Sequence, residues 1–272
     1  MDRRTFLECC GGLAAWASPN RGDGFGLLRP LGATGVKVSL LGLGTANLHR
    51  LEANAAERLI RHAHSLGFAY FDSAAAYGDG VSESILGKCL DRSQEHLFIA
   101  SKTLRRRDAA PDLYASLRRL RFERIDLWMM HDLRTPWEWE EMTAPGGALE
   151  TALRARENGD IRFIGLSAHR HPDLIAKALH EFPFDAIMIP LKPASSGGEG
   201  FVEKVIPLAN RMGVGVVGMK IFGRSAPRNL SSEAAMQAWR EAARYPAASI
   251  VAGCETVEQL QLAADAFSVP IA

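Results

Sequence analysis

The chain lacks the marks of several large protein classes. No apolar run approaches the ~20 residues needed to cross a bilayer, so no membrane span is expected. No block of like charge stands out, and the formal net charge over 272 residues is +1, so there is neither a basic surface signal for nucleic acid nor an acidic tail. The four cysteines, Cys9, Cys10, Cys89 and Cys254, have no zinc-ligand spacing, and two of them are adjacent, so neither a metal site nor a disulfide framework is expected. There is no internal repeat and no low-complexity linker, which leaves a single domain. Also missing is the Gly-x-Gly-x-x-Gly turn of a doubly wound fold. Gly42-Leu43-Gly44-Thr45 is too sparse for it, and no acidic residue follows at the required offset.

A large core is available, since 47% of residues are hydrophobic. From Val36 onward short apolar runs alternate with amphipathic stretches. The strand candidates are Val38–Leu43, Ala69–Phe71, Leu97–Ser101, Asp126–Met130, Phe163–Ser167, Ala186–Pro190, Gly215–Met219 and Ser249–Ala252. Runs rich in Val, Ile, Leu and Phe, bounded by Gly or polar residues, suit strands buried on both faces. The helix candidates are Ala53–Ser65, Ser82–Leu90, Pro111–Leu120, Ala148–Asn158, Pro172–His180, Phe201–Arg211, Ser232–Arg244 and Thr256–Ala266. Ser82 is expected to cap its helix, Pro111 and Pro172 suit first turns, and Gly67, Gly159 and Gly213 sit where helices should stop. Eight such pairs predict a single-domain α/β fold, the (β/α)8 TIM barrel.

The N-terminus reads differently. Arg3-Arg4-Thr5-Phe6-Leu7 precedes an apolar stretch ending Ala15-Trp16-Ala17, a small-x-small cleavage pattern. The run resembles a twin-arginine export signal, which implies export to the periplasm with the export machinery as a partner. The alternative is a disordered tail with a chance Arg pair on a cytoplasmic protein. Either way residues 1–25 are expected outside the fold and 26–272 within the barrel.

Four residues fall at the ends of three successive strand-like runs: Asp72, Tyr77, Lys102 and His131. Singly, each has an ordinary reading as a turn residue, a packing ring, a solvated cation or a hydrogen-bonded structural histidine. In a parallel barrel, however, the segments just past the strand ends converge on one face, where active sites are built. A tyrosine is a poor acid at neutral pH, with a reference pKa near ~10. A neighbouring ammonium favours its phenolate, and a carboxylate can hold that ammonium. The set therefore reads as a tyrosine general acid, a lysine that lowers its pKa, an aspartate that orients the lysine and a histidine that positions a carbonyl.

The chain resembles the aldo-keto reductase family over nearly all of the expected barrel. The resemblance rests on an ordered set of segments: Leu31–Ser39 running on to Gly42-Leu43-Gly44-Thr45, Phe71-Asp72-Ser73-Ala74-Ala75-Ala76-Tyr77-Gly78 with Ser82-Glu83 and Leu86-Gly87, Ile99–Thr103, Asp126–His131, and Ile161–Ser167. Gly165-Leu166-Ser167-Ala168-His169 and Gly218-Met219-Lys220 resemble an exported branch with a twin-arginine leader. The resemblance implies that Asp72, Tyr77, Lys102 and His131 form a catalytic tetrad. It also implies that NADP(H) or NAD(H) lies extended over the barrel mouth and passes hydride to an aldehyde or ketone. The cofactor-binding candidates that follow are Gly44, Thr45, Asp72, Ser167, Met219, Lys220, Gly253, Thr256 and Gln259.

Departures from the family pattern accompany it. Ala168 stands where an Asn is usual, Met219 where many members stack an aromatic ring, and Leu262-Ala263 where a Glu-Asn pair often meets the adenine. Gly253, Thr256 and Gln259 replace cationic residues that grip a 2′-phosphate, with Glu255 and Glu258 beside them, which leaves the choice between NADP and NAD open. Two loops are expected to shape an open mouth, Arg134–Trp139 and Ser195–Gly198. The partner is then a small carbonyl or alcohol, and no interface feature stands out, so a monomer is expected. Rival readings are a non-catalytic cofactor-binding barrel and a metal-dependent hydrolase built on His131-Asp132 and His169-Arg170-His171.

Overall fold

The computed structural model describes residues 20–21, 27–90, 96–192, 200–222 and 231–267. Apart from Asn20–Arg21, the stretch expected to be a leader lies outside these residues, as does the Ser195–Gly198 loop. The chain opens with a small antiparallel sheet of β1 (Asn20–Arg21), β2 (Leu27–Pro30) and β3 (Lys37–Ser39). Eight parallel strands follow: β4 (Leu41–Gly44), β5 (Tyr70–Asp72), β6 (Phe98–Thr103), β7 (Ile125–Met130), β8 (Ile161–Ser167), β9 (Ala186–Pro190), β10 (Gly215–Met219) and β11 (Ser249–Ala252). They close in sequence order, with β11 pairing back onto β4. Around them, among the described residues, run α1 (Ala53–Ser65), α2 (Val81–Cys89), α3 (Ala110–Leu120), α4 (Pro136–Thr143), α5 (Ala148–Asn158), α6 (Pro172–Glu181), α7 (Phe201–Arg211), α8 (Ser232–Ala243) and α9 (Val257–Asp265).

The strands are apolar on both faces because both faces are covered, and every residue of β5, β6, β9, β10 and β11 is buried. The inner face fills the barrel with Tyr70, Phe98, Leu127, Met129, Phe163 and Met188 among others, and Tyr70 stacks on Phe98 at 5.2 Å. The outer face packs on the helices; Ile99, Trp128, Ile164 and Ile187 belong to that layer.

The small sheet closes the floor. Leu31 and Val38, flanking its hairpin, join the inner cluster. Gly32 takes φ +55 and approaches so closely that a Cβ there would lie 2.4 Å from the Gly213 carbonyl oxygen, a position open only to glycine. Arg29 donates to the carbonyls of Ala243 at 2.8 Å and Ala247 at 3.0 Å, tying the hairpin to the end of α8. With the N-terminal end plugged, the C-terminal ends of the strands form the open face.

Three expectations need correction. Val38–Leu43 is not one strand but parts of two. Ser39 breaks the run: its hydroxyl donates to the Leu41 carbonyl at 2.7 Å and accepts from the Tyr70 N–H at 3.0 Å, turning the chain from hairpin to barrel. Ser82 does not cap α2; left-handed Gly80 precedes that helix, and Ser82 donates instead to the Thr45 carbonyl at 2.8 Å. Arg134–Trp139 is not all loop. Thr135 caps α4 by accepting from the Glu138 N–H at 3.2 Å, and Pro136 takes the first turn. Within α4, Trp139 is buried and donates to Glu181 at 2.6 Å, whereas Trp137 is 64% exposed.

Candidate active site

Asp72 ends β5, Lys102 is the fifth residue of β6, and His131 follows β7 directly. Tyr77 comes from the turn after β5. That turn continues the strand pairing briefly, with Ser73 N–H on the Ala100 carbonyl at 2.8 Å and Ala75 N–H on the Lys102 carbonyl at 3.1 Å, then folds back through Tyr77 N–H to the Ala74 carbonyl at 3.0 Å. Gly78 at φ +60 completes the reversal against His49, where a Cβ would lie 2.4 Å from the His49 Cβ. Consecutive β–turn–α segments thus bring all four sequence-chosen residues to the same end of the barrel.

Lys102 is the hub. Its Nζ donates to Asp72 Oδ2 at 2.5 Å, to the Ser73 carbonyl at 2.7 Å and to the Tyr77 hydroxyl at 3.3 Å. These partners use all three donors of the ammonium. The side chains of Lys102 and Asp72 are 1% and 2% exposed. His131 meets the Tyr77 ring edge-on at 5.7 Å. Thr45 supports Asp72 from behind, with its N–H on the Asp72 carbonyl at 2.9 Å and its hydroxyl 3.0 Å from the same oxygen.

Burial governs the ionisation of the group. It raises the Tyr77 pKa above the ordinary phenol value, and the opposing pull of Lys102 does not reverse it. The sequence had led us to expect Lys102 to lower that pKa; desolvation outweighs it here. Burial also raises Asp72, against Lys102. For Lys102, burial pulls downward, yet the charges of Asp72 and Tyr77 together raise it, so it stays an ammonium. His131 is pushed down to about 2, first by burial and then by Lys102, His169, Arg106 and Arg134, and is neutral at ordinary pH. Burial and Lys220 hold His169 down to about 4.

A model of the Aldo/keto reductase family matches residues 40–269. The chain belongs to the aldo/keto reductase family. It is 30% identical over 213 residues to a probable aldo-keto reductase 1 of Glycine max, covering 71% of this chain and 59% of that one. It is 28% identical over 256 residues to a pyridoxal 4-dehydrogenase of Microbacterium luteolum, covering 74% and 72%. The chain thus spans less than two thirds of the soybean relative's length. Among solved structures, a putative aldo-keto reductase from Pseudomonas aeruginosa superposes with TM-score 0.72 at 25% identity, covering 90% of this chain and 97% of that one. An aldo-keto reductase of Bacillus halodurans in its holo form has the same TM-score at 22% identity over 89% and 91%, a likeness of fold.

The positions expected to bind a reductase cofactor differ in how free their side chains are. Met219 and Ser167 end β10 and β8 at the mouth, though the Ser167 hydroxyl already accepts from the Asp132 N–H at 2.9 Å. Lys220 follows Met219 in a left-handed conformation, and Gly253 is exposed with open space beside it. Thr45 is fully buried, and Gly44 packs so tightly on Val251 that a Cβ would lie 2.7 Å from it. Thr256 and Gln259 use their side chains locally: Thr256 caps α9 by accepting from the Gln259 N–H at 3.3 Å, and Gln259 accepts from the Glu255 N–H at 2.8 Å.

Sequence reading passed over Arg106, which donates to the carbonyls of His131 and Asp132. It lies in the run Arg105-Arg106-Arg107 and carries no local signal separating it from its solvated neighbours. The rival reading of His131-Asp132 and His169-Arg170-His171 as metal ligands finds no support in the geometry. Among the described residues no group of three or more His, Cys, Asp or Glu is placed to hold a metal ion, and no helix is long and apolar enough to cross a membrane.

Proposed function

We propose that the protein is a nicotinamide-dependent oxidoreductase that reduces an aldehyde or ketone to an alcohol, or runs the reverse, with Tyr77 as general acid. The observation that carries this reading is the buried Lys102 ammonium held between Asp72 and the Tyr77 hydroxyl at the open end of the barrel. Negative charge developing on a carbonyl oxygen needs a proton and a second hydrogen bond aimed at it. Tyr77, with its pKa held up by burial, remains a phenol at neutral pH and has a proton to give. The phenolate left behind stands beside Lys102, whose charge favours it. His131, neutral at working pH, offers an imidazole N–H that orients the carbonyl without competing as an acid.

The mouth also suits a polar cofactor ring. Asp72 Oδ1, His131 Nδ1 and His169 Nδ1 are buried without a hydrogen-bond partner among the described residues, and all three belong to the strand ends around Lys102. Buried polar atoms rarely stay unpaired, so the site has hydrogen-bonding capacity to offer a ligand. NADP(H) or NAD(H) bound there would supply the hydride, with Ser167, Met219, Lys220 and Gly253 as the residues nearest to hand. The relative named a pyridoxal 4-dehydrogenase supports an oxidoreductase reading. A fluorescence titration with NADPH and NADH, followed by a carbonyl panel, tests it. Saturable quenching by either cofactor and carbonyl-dependent oxidation of the bound form are expected; binding of neither cofactor would overturn the reading.

A further inference from the structure

His131 owes its aim to the backbone. Its Nδ1 is buried with no hydrogen-bond partner among the described residues, and Tyr77 meets the ring only edge-on. The chain here leaves β7 abruptly. His131 N–H still pairs with the Thr103 carbonyl at 2.9 Å, but the next residue, Asp132, takes φ +54, a conformation that L side chains rarely adopt. That reversal turns two successive carbonyls toward one cation. Arg106 Nη1 donates to the His131 carbonyl at 2.8 Å, and Nη2 donates to the Asp132 carbonyl at 3.0 Å. The planar fork of the guanidinium sends one nitrogen to each oxygen, a geometry that a point-like ammonium does not reproduce.

The clamp is itself held. Glu138 bonds Arg106 Nη2 through Oε1 at 3.2 Å and accepts from the Arg134 N–H through Oε2 at 2.7 Å. The Arg106 carbonyl accepts from the Ala148 N–H at 2.8 Å, anchoring the segment to the start of α5. Asp132 N–H is fixed by the Ser167 hydroxyl, and the Asp132 carboxylate pairs with Arg134 at 2.6 Å. Every backbone polar group from His131 N–H to the Asp132 carbonyl therefore has a partner, and Arg106 supplies two of those partners.

We propose that Arg106 is a positioning residue for the reaction: its guanidinium fork sets the left-handed turn at His131-Asp132 and so aims the His131 imidazole at the substrate carbonyl. This rests on the reductase reading for its consequence in turnover, but its geometric content stands without it. Arg106→Met removes charge and fork, and Arg106→Lys keeps the charge alone. Two readouts apply, kcat with a carbonyl substrate at saturating cofactor and the side-chain nitrogen NMR resonances of His131 in the free protein. Both variants are expected to bind cofactor as the parent does, to lose about 10- to 100-fold in kcat, as small misplacements of a reacting group do, and to show displaced His131 resonances. Lysine should not restore them.

Should Arg106→Met fail to fold, Glu138→Gln loosens the guanidinium from its far side and should displace the same resonances in the same direction by less. Folded variants with parental His131 resonances and parental kcat would overturn the proposal, whatever their melting temperature. A parent protein without carbonyl turnover would overturn the reductase reading instead, and the resonances would still decide whether the clamp aims His131.

Discussion

At the scale of single residues, the Asp72–Lys102 pair makes the clearest energetic statement. Both groups are almost wholly buried, so each would be costly alone. Lys102→Met leaves the Asp72 carboxylate buried without its cation, and we expect a loss of about 3–5 kcal/mol in chemical denaturation, together with loss of turnover. The ammonium has its own pH signature. Its folded pKa is raised above 10.5, so its contribution is complete below that value and fades as pH rises through the folded pKa. The histidines act on the acid side with the opposite sign. His131 and His169 are depressed to about 2 and about 4 from 6.5, so the unfolded chain takes up protons that the folded one refuses. Their contribution is complete above pH 6.5 and is lost as pH falls toward the folded values, each at about 1.4 kcal/mol per pH unit. Denaturation curves between pH 7 and pH 4.5 should show this slope, and His131→Gln should flatten it; an equal slope in the variant would contradict the assignment.

At the scale of elements, α2 and α3 brace the strand that carries Lys102. Glu83 on α2 is fully buried, accepting from Ser101 of β6 at 2.5 Å and pairing with Arg119 of α3 at 2.6 Å. The two helices touch at Gly87, where a Cβ would lie 2.3 Å from the Arg119 carbonyl oxygen and 2.5 Å from that of Leu120. Alanine normally favours a helix over glycine by about 1 kcal/mol. Here the obstacle is backbone, which cannot swing aside, so Gly87→Ala should instead destabilise by about 1–3 kcal/mol, as overpacking does. A melting temperature equal to or above that of the parent would show that the helices can part. The legibility of the sequence also divides by element. Strands buried on both faces, such as Val216-Val217 in β10, could be read directly because apolar runs bounded by glycine have few other uses. What failed was local hydrogen bonding. Ser39 and Ser82 look like ordinary strand and cap residues, and only their distant partners, Tyr70 and Thr45, reveal that one bends the chain and the other ties the first turn of α2 to the segment after β4. Thr135-Pro136 did announce α4, through a capping threonine with Glu138 three residues on; the loop reading overlooked it.

At the scale of the whole molecule, a closed floor and an open mouth give the barrel one working face. The hairpin around Leu31 fills the N-terminal end, and the strand ends bring Asp72, Tyr77, Lys102 and His131 together at the other. The tetrad was legible because strand ends can be counted along the chain and a closed barrel brings them to one rim. The electrostatic balance was not, because it depends on how deeply Tyr77 and His131 sink, which a sequence does not state; Arg106 stayed hidden since its partners, two backbone carbonyls and Glu138, lie 25 or more residues along the chain. The most direct test of the account is Tyr77→Phe, which removes one hydroxyl from this face. Cofactor affinity and carbonyl reduction should be measured on the same preparation. The account predicts unchanged nicotinamide binding and a loss of reduction of about 100-fold or more, the scale of a general acid. Turnover equal to that of the parent would contradict it.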